Sequence, residues 1–242
     1  MTVTRIDQSQ RRAAKIAGLV YPLSFVTVAS AYFGIFARLF VPGDPAQTAR
    51  NILAHERLFR IAIVGDMVYC AGVVVVLAAF YVILKPVDQN LSLLAAFGRL
   101  IHAFTYLLMS ISLFIALRLL SGADYSRAFG QDQLPVLARL YLNGFDQYYV
   151  GLLFWALAAT VGSYLWFKSN YIPKALAAVG MFSSAWCVAC TLVLFIYPDF
   201  QSVVNAWWYD LPMVLLELTL SFWLLFKGLR LPGAVAADKA SV

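Results

Sequence analysis

The chain has 242 residues, of which 62% are hydrophobic and 12% charged, and its mean hydropathy is +0.79. Soluble domains are about half apolar and about a quarter charged, so this composition excludes a water-soluble fold, a disordered chain and a small disulfide-stabilised domain. The net charge of +6 lies mainly at the ends of apolar segments, which is typical of membrane topology signals and not of nucleic-acid binding.

Six stretches are long and apolar enough to cross a bilayer, which takes about 20 helical residues. They are roughly 14–40, 58–84, 91–120, 134–167, 175–197 and 207–226. Proline, glycine and aspartate separate them, as in Val41-Pro42-Gly43-Asp44-Pro45. We therefore predict an all-α integral membrane bundle of about six transmembrane helices. It spans 14–229, between a cytoplasmic N-terminal segment, 1–13, and a flexible cytoplasmic tail, 230–242.

Basic residues predict the orientation of these helices. With the N-terminus in the cytoplasm, the inner side carries ten Lys and Arg residues and the outer side seven. Because Lys and Arg are enriched on the cytoplasmic side, both termini are expected there, in a bacterial inner membrane. The basic start of the chain leads into an apolar stretch too long for a cleaved signal peptide, so this stretch is expected to be the first membrane helix.

Ionisable side chains inside these segments are costly, about 2.5–3.5 kcal/mol each on insertion scales, so they tend to face the protein interior. Asp66, Arg99, His102, Asp146 and Glu217 lie in such positions. Helical spacing groups them with other polar residues in two stripes, Arg99–His102–Tyr106–Ser110 and Asp210–Met213–Glu217–Ser221. Polar stripes face the protein interior in preference to lipid, so they predict an interior polar pocket.

Proton transfer and cation stabilisation are the chemistry that this pocket offers. Carboxyl and imidazole groups exchange protons, and the predicted catalytic residues are Asp66, Glu217, His102 and Asp146. Deep aromatic rings stabilise cations, and the predicted substrate-binding residues are Arg99, Tyr69, Tyr106, Tyr149, Trp155, Trp186 and Trp223. Two simpler interpretations stay open. In the first, Arg99 pairs with Asp66 or Glu217 only to hold the bundle together. In the second, His102 is a buried histidine with satisfied hydrogen bonds and no chemical role.

No metal and no cofactor is expected. The C-x-x-C spacing of Cys187 and Cys190 lacks the βαβ context of a redox motif, and with Cys70 these residues are interpreted as small apolar side chains. The sequence contains no H-E-x-x-H motif, phosphate-binding loop or dinucleotide fingerprint.

Several short runs, taken in order, are similar to one family. They are AKIAGLVY (14–21), VPGD (41–44), NILA (51–54), LFR (58–60), YVILKPV (81–87), NLSLLA (90–95), YIPK (171–174), EL (217–218) and LFKG (225–228). Over residues 14–229 the chain resembles the bacterial membrane family catalogued as domain of unknown function 4386.

The resemblance implies a multi-pass helical bundle in a bacterial cytoplasmic membrane, and no assigned activity. Asp66, Arg99 and Glu217 fall where the family tends to carry the same residue types. His102 stands where the family often has an acid, and Gly144-Phe145-Asp146-Gln147 stands where it often has a histidine nearby. These departures imply a specialised member with altered pocket polarity.

Three kinds of function fit the sequence. The first is an intramembrane enzyme for acid-initiated cyclisation or isomerisation of a prenyl or terpenoid molecule, because a carboxylic acid in a low-dielectric pocket can keep and donate a proton. Small membrane terpenoid cyclases offer an analogy in size and paired acids, without a shared motif. The alternatives are a transporter or lipid-binding subunit with a proton or ion-pair relay, and a non-catalytic structural protein. Expected partners are membrane lipids and a lipophilic small-molecule substrate, and a homo-oligomer stays open.

Overall fold

Helices form the architecture of this chain. The computed structural model describes residues 6–122, 133–142, 145–197 and 199–230, and these residues contain helices and turns but no strand. The predicted all-α membrane fold is confirmed. In chain order the helices are α1 (Gln8–Leu39), α2 (Pro45–Ala54), α3 (Glu56–Leu84), α4 (Gln89–Leu120), α5 (Gln133–Leu142), α6 (Phe145–Ser169), α7 (Lys174–Ile196), α8 (Phe200–Val203) and α9 (Leu211–Phe226), with a 3-10 turn at Ala206–Trp208.

Five segments in the described part of the chain are long and apolar enough to cross a membrane. They are Gln8–Leu39, Glu56–Leu84, Gln89–Leu120, Val136–Ser169 and Lys174–Ile196, and they match the first five predicted stretches. The sixth stretch forms the shorter helix α9, which has 16 residues. A helix of that length rises about 24 Å, less than the hydrocarbon thickness of about 30 Å.

The chain divides into two compact units. The terminal unit comprises Met1–Pro22, Gly72–His102 and Gly151–Val242, and the internal unit comprises Leu23–Ala71 and Ala103–Val150. Helices α1, α3, α4 and α6 contribute residues to both. In each unit the buried core is apolar, with Leu84, Leu165 and Leu224 in the terminal unit and Ile52, Phe59 and Ile63 in the internal unit.

A capping box starts α1. The Gln10 backbone N–H donates to Asp7 Oδ1 at 2.8 Å, and the Asp7 N–H donates back to Gln10 Oε1 at 3.1 Å. This reciprocal pairing satisfies backbone donors that a helix start leaves without partners. The hydrogen bonds from the Gln10 N–H and the Ser9 hydroxyl lower the pKa of the Asp7 carboxyl.

Gln10 also connects three parts of the terminal unit. Its side-chain amide donates to the Ile83 carbonyl at 2.9 Å and to the Tyr171 hydroxyl at 3.1 Å. Ile83 lies in the last turn of α3, where carbonyls lack partners within the helix. Tyr171 lies in the loop between α6 and α7, where burial raises the pKa of its hydroxyl. One buried glutamine therefore joins α1, α3 and this loop.

Close helix packing in the terminal unit depends on a glycine. A Cβ added at Gly18 of α1 would lie 2.7 Å from the Leu225 backbone nitrogen and from the Ser221 carbonyl oxygen of α9. Backbone atoms have little room to move, so only glycine allows this approach. Small residues at such contacts are typical of helix pairs in membranes.

The Gly18→Ala change is expected to lower the melting temperature in detergent, because overpacking costs roughly 1–3 kcal/mol. Gly162→Ala is the matched control, since a Cβ at Gly162 of α6 meets nothing within 4 Å. Unfolding can be followed with a thiol-reactive dye, because Cys187 and Cys190 are buried. Equal melting temperatures for the two variants would contradict the contact between α1 and α9.

The Gln10→Ala change is expected to destabilise the protein by about 1–3 kcal/mol, because the Ile83 carbonyl and the Tyr171 hydroxyl lose their donor. The neighbouring Gln8 is exposed, so Gln8→Ala provides the control. Melting temperatures of both variants, measured with the same dye, give the comparison. A loss in the Gln8 variant as large as in the Gln10 variant would show that the connection at Gln10 is not the cause.

Candidate functional site

Arg99 and Glu217 form a buried ion pair in the terminal unit. Arg99 Nη2 donates to Glu217 Oε1, and Arg99 Nη1 lies 3.4 Å from Oε2. Trp155 Nε1 also donates to Oε1, at 3.0 Å, and the guanidinium lies 5.1 Å from the centre of the Phe80 ring. Arg99 and Glu217 are 6% and 3% exposed. Of the two predicted partners for Arg99, the structure pairs it with Glu217, which is held by donors from α4 and α6.

His102 lies next to this pair in the same unit. Its ring stacks on Trp155 with centroids 5.3 Å apart, and its Nδ1 lies 3.2 Å from the Gly151 carbonyl oxygen. A carbonyl oxygen only accepts hydrogen bonds, so Nδ1 carries the proton in this contact. The arrangement fits a buried histidine that is fixed by stacking and by one backbone hydrogen bond.

A small cavity adjoins the ion pair. Its volume is about 30 Å³, and Arg99, Glu217, Ser92 and Ser163 contribute to a mostly apolar lining. A water molecule needs about 10–15 Å³ of such space, so the cavity has room for one or two waters. Ser92 Oγ has no hydrogen-bond partner among the described residues. Ligand pockets usually measure about 300–1,000 Å³, so this cavity does not hold a lipophilic substrate.

Asp66 is the buried acid of the internal unit. It is 1% exposed, and its Oδ2 has no hydrogen-bond partner within the described residues. An unpaired buried carboxylate oxygen is strongly disfavoured, so this oxygen requires a proton or a hydrogen-bond donor that the described residues do not supply. Asp66 therefore differs from Glu217, whose oxygens accept several hydrogen bonds.

The backbones of α1 and α3 pack closely at Gly65, the residue before Asp66. The Thr27 hydroxyl of α1 donates to the Gly65 carbonyl at 3.1 Å. A Cβ at Gly65 would lie 3.2 Å from the Thr27 carbonyl oxygen and 3.4 Å from the Ala31 side chain. Gly65 therefore lets α1 and α3 approach closely one residue before the acid.

A π-helix follows directly in α1, over Ser30–Phe36. π-Helical turns are rare and are frequent at functional sites, because they shift the register of the side chains that follow. Ala31, inside this stretch, is the residue that faces Gly65. The hydrophobic periodicity of this segment does not predict the π-helix.

Tyrosines surround the next turn of α3 in the internal unit. Tyr69 lies three residues after Asp66, and its ring centroid is 4.8 Å from that of Tyr106 on α4. Tyr106 is followed by Tyr148 at 6.5 Å and Tyr148 by Tyr149 at 5.4 Å, which extends the row to α6. We call Tyr69, Tyr106, Tyr148 and Tyr149 the tyrosine row. Three of its members were predicted to bind substrate, and Tyr148 was missed although it precedes Tyr149.

The remaining predicted residues lie elsewhere. Trp186 is 53% exposed on α7, where a membrane protein contacts lipid. Trp223 is half-buried and lies under the Arg230 guanidinium, 4.8 Å from its ring centre. The side chain of Asp146 falls outside the described residues. Among the described residues, no group of three or more His, Cys, Asp or Glu side chains could hold a metal ion.

Comparison with known proteins identifies one family. The family model described as "Domain of unknown function (DUF4386)" matches residues 16–228, nearly the whole chain. No curated protein and no solved structure matches the sequence. The match agrees with the resemblance noted for residues 14–229, and the family description gives no activity.

The ion pair predicts an unequal response to single and double substitution. Arg99→Met leaves a buried carboxylate without its cation, and Glu217→Leu leaves a buried cation, so each should cost roughly 3–5 kcal/mol. The double variant, with two apolar side chains, should be much closer to the wild type. Chemical unfolding in micelles measures the three values, and Arg11→Met, at an exposed arginine, is the control. Equal losses in the single and double variants would show that side-chain volume, not charge, stabilises this unit.

Proposed function

We propose that this chain, which belongs to the DUF4386 family, is a membrane enzyme that acts on a lipophilic small molecule by proton transfer, with Asp66 as the proton donor. The observation that carries the proposal is the Asp66 carboxyl, which is 1% exposed and has an oxygen without a partner in the described part of the chain. An ionisable group kept in a membrane helix at such a cost indicates a functional site.

The two buried acids are given different roles. Glu217 accepts hydrogen bonds from Arg99 and Trp155, so its oxygens already have partners within the protein. We assign Glu217, Arg99 and His102 to the stability and shape of the terminal unit. Asp66 Oδ2 accepts no hydrogen bond from the described residues, and removal from water favours the neutral, proton-donating form of a carboxylic acid.

The proposed reaction is isomerisation or cyclisation of an isoprenoid. The Asp66 proton adds to one carbon of a C=C bond, whose electron pair forms the new C–H bond and leaves a carbocation on the other carbon. A neighbouring carbon then loses a proton to the Asp66 carboxylate, and its C–H electrons form a new double bond. Attack by a second double bond of the same chain before this loss closes a ring. The acid is regenerated, and no co-reactant is needed.

The tyrosine row supports this chemistry. Aromatic rings attract cations through their negative faces, by about 0.5–2 kcal/mol each depending on exposure. Tyr69 lies on the same helical face as Asp66, and its ring packs against Tyr106. The π-helix at Ser30–Phe36 supports a functional site at this level of the internal unit.

Proton-coupled transport is the second candidate, and a different observation favours it. The cavity of about 30 Å³ beside Arg99 and Glu217 has room for a water, and its lining includes the Ser92 hydroxyl, which has no partner among the described residues. A water molecule in this cavity would be able to exchange protons with the Arg99–Glu217 pair. In this case Glu217→Gln would abolish proton flux into liposomes, measured with an internal pH dye, while Asp66→Asn would not.

The proposed location is the bacterial cytoplasmic membrane, with both termini in the cytoplasm. Arg11, Arg12 and Lys15 lie in the first turns of α1, and Lys168, near the end of α6, pairs at 3.8 Å with Asp88, which directly precedes α4. Basic residues at these ends support cytoplasmic exposure. The short helix α9 then makes the sixth crossing, which its flanking residues or local bilayer thinning accommodate.

Deuterium incorporation tests the proposed reaction. Purified protein in nanodiscs is incubated in ²H₂O with farnesol, geranylgeraniol or squalene, and products are analysed by mass spectrometry. The expected product is an isomer carrying one deuterium, because the first proton comes from an exchangeable carboxyl. Asp66→Asn should lower its rate at least about 100-fold, the usual contribution of a general acid.

Asp88→Asn is the matched control for this assay. Asp88 precedes α4 and accepts a hydrogen bond from the Leu91 N–H at 3.1 Å, a role that asparagine also performs. This variant should keep the wild-type rate. Turnover by Asp66→Asn at the wild-type rate, or no deuterium-labelled product from any of the three substrates, would contradict the proposed enzyme.

A further inference from the structure

A groove at the junction of α2 and α3 precedes Asp66 in the chain and, unlike that buried acid, is formed mainly by exposed side chains. It is lined by residues 53–58 and Arg60, and its volume is about 690 Å³. His55 is the one residue between the two helices. Since α1 ends at Leu39 and α3 begins at Glu56, both as membrane-spanning helices, the junction lies at one surface of the membrane.

Among the described residues, the groove carries one positive charge that no acidic residue of its lining offsets. Arg60 Nε pairs with Glu56 Oε1 at 2.7 Å, so these two charges offset each other. Arg57 is exposed and forms no ion pair or hydrogen bond with the part of the chain that the structure describes. A guanidinium presents a fork of donors that matches two phosphate oxygens.

Apolar side chains flank this charge. Leu53 and Leu58, both in the lining, are 44% and 46% exposed. Exposed leucines beside a free guanidinium fit an amphiphile with a phosphate head and acyl chains. A small phosphate ion would use only the charge, whereas a phospholipid would also cover the leucines.

We propose that this groove binds the phosphate group of an anionic phospholipid, with Arg57 contacting the phosphate and Leu53 and Leu58 contacting the acyl chains near the headgroup. A lipid with net negative charge is favoured over a zwitterionic one, because the groove has one positive charge in excess. This binding site is independent of the chemistry proposed for Asp66.

Lipid titration of the delipidated full-length protein tests the proposal. Phosphatidylglycerol, phosphatidylcholine or inorganic phosphate is added in neutral detergent, and bound lipid is counted by native mass spectrometry. Arg57→Gln should weaken phosphatidylglycerol binding about fivefold, the usual effect of one basic residue near an anionic membrane surface. The difference should shrink at high salt, because exposed charges are screened.

Arg11→Gln is the matched control, since Arg11 is an exposed arginine at the other end of α1. It should bind phosphatidylglycerol as the wild type does. Unchanged melting temperatures without lipid confirm that both variants fold, as expected for exposed residues. Equal binding by wild type and Arg57→Gln, equal affinity for the two lipids, or competition by inorganic phosphate at the same concentration would each overturn the phospholipid site.

Discussion

The absence of water from the bilayer core is the constraint on which the rest of this structure depends. A buried polar group there has only other protein groups as partners, and an unpaired one costs several kcal/mol. Arg99 meets this constraint with Glu217, and Glu217 meets it again with Trp155. At the start of α1, Gln10 supplies the donor for the last turn of α3. Each polar side chain thereby determines which helices of the terminal unit come together.

The same lack of water applies to the buried side chain of Asp66. A chain that pairs its other deep acid through three hydrogen bonds leaves an oxygen of Asp66 without a partner among the described residues. A closely packed glycine precedes this acid, and a π-helix lies opposite that glycine. Strained or rare backbone and unpaired polar atoms cost stability, and both are typical of functional sites. Hydrogen-bonded pairing stabilises the terminal unit, and the unpaired oxygen of Asp66 among the described residues is the observation on which the proposed proton transfer rests.

The sequence predicts the spanning helices well because bilayer thickness sets their length, so an apolar run of sufficient length has few alternatives. It also predicts which polar residues are buried, since Asp66, Arg99, His102 and Glu217 all lie inside the protein. The last stretch differs from its prediction, because the segment predicted from 207 to 226 begins with a 3-10 turn and its α-helix begins only at Leu211.

A single sequence does not determine which side chain a buried polar residue contacts, nor where the hydrogen-bond register of a helix changes. Helical spacing places Arg99 on a polar face, but both Asp66 and Glu217 satisfy the same rule, and only the packing of α4 against α9 selects Glu217. Trp186 shows the opposite problem, because its depth suggested a pocket while its position on α7 leaves it exposed. The π-helix depends on a shift of backbone hydrogen bonds from i−4 to i−5, and no pattern of residue types predicts that shift.

Infrared spectroscopy of the Asp66 side chain tests the central claim most directly. A neutral carboxylic acid and a carboxylate absorb at separate frequencies, so difference spectra at neutral pH between wild type and single variants report the protonation of one side chain. The expected wild-type spectrum contains a neutral-acid band that disappears in Asp66→Asn and persists in Glu217→Gln. A wild-type spectrum in which Asp66 contributes only a carboxylate band would contradict the claim that this buried acid holds a proton for transfer.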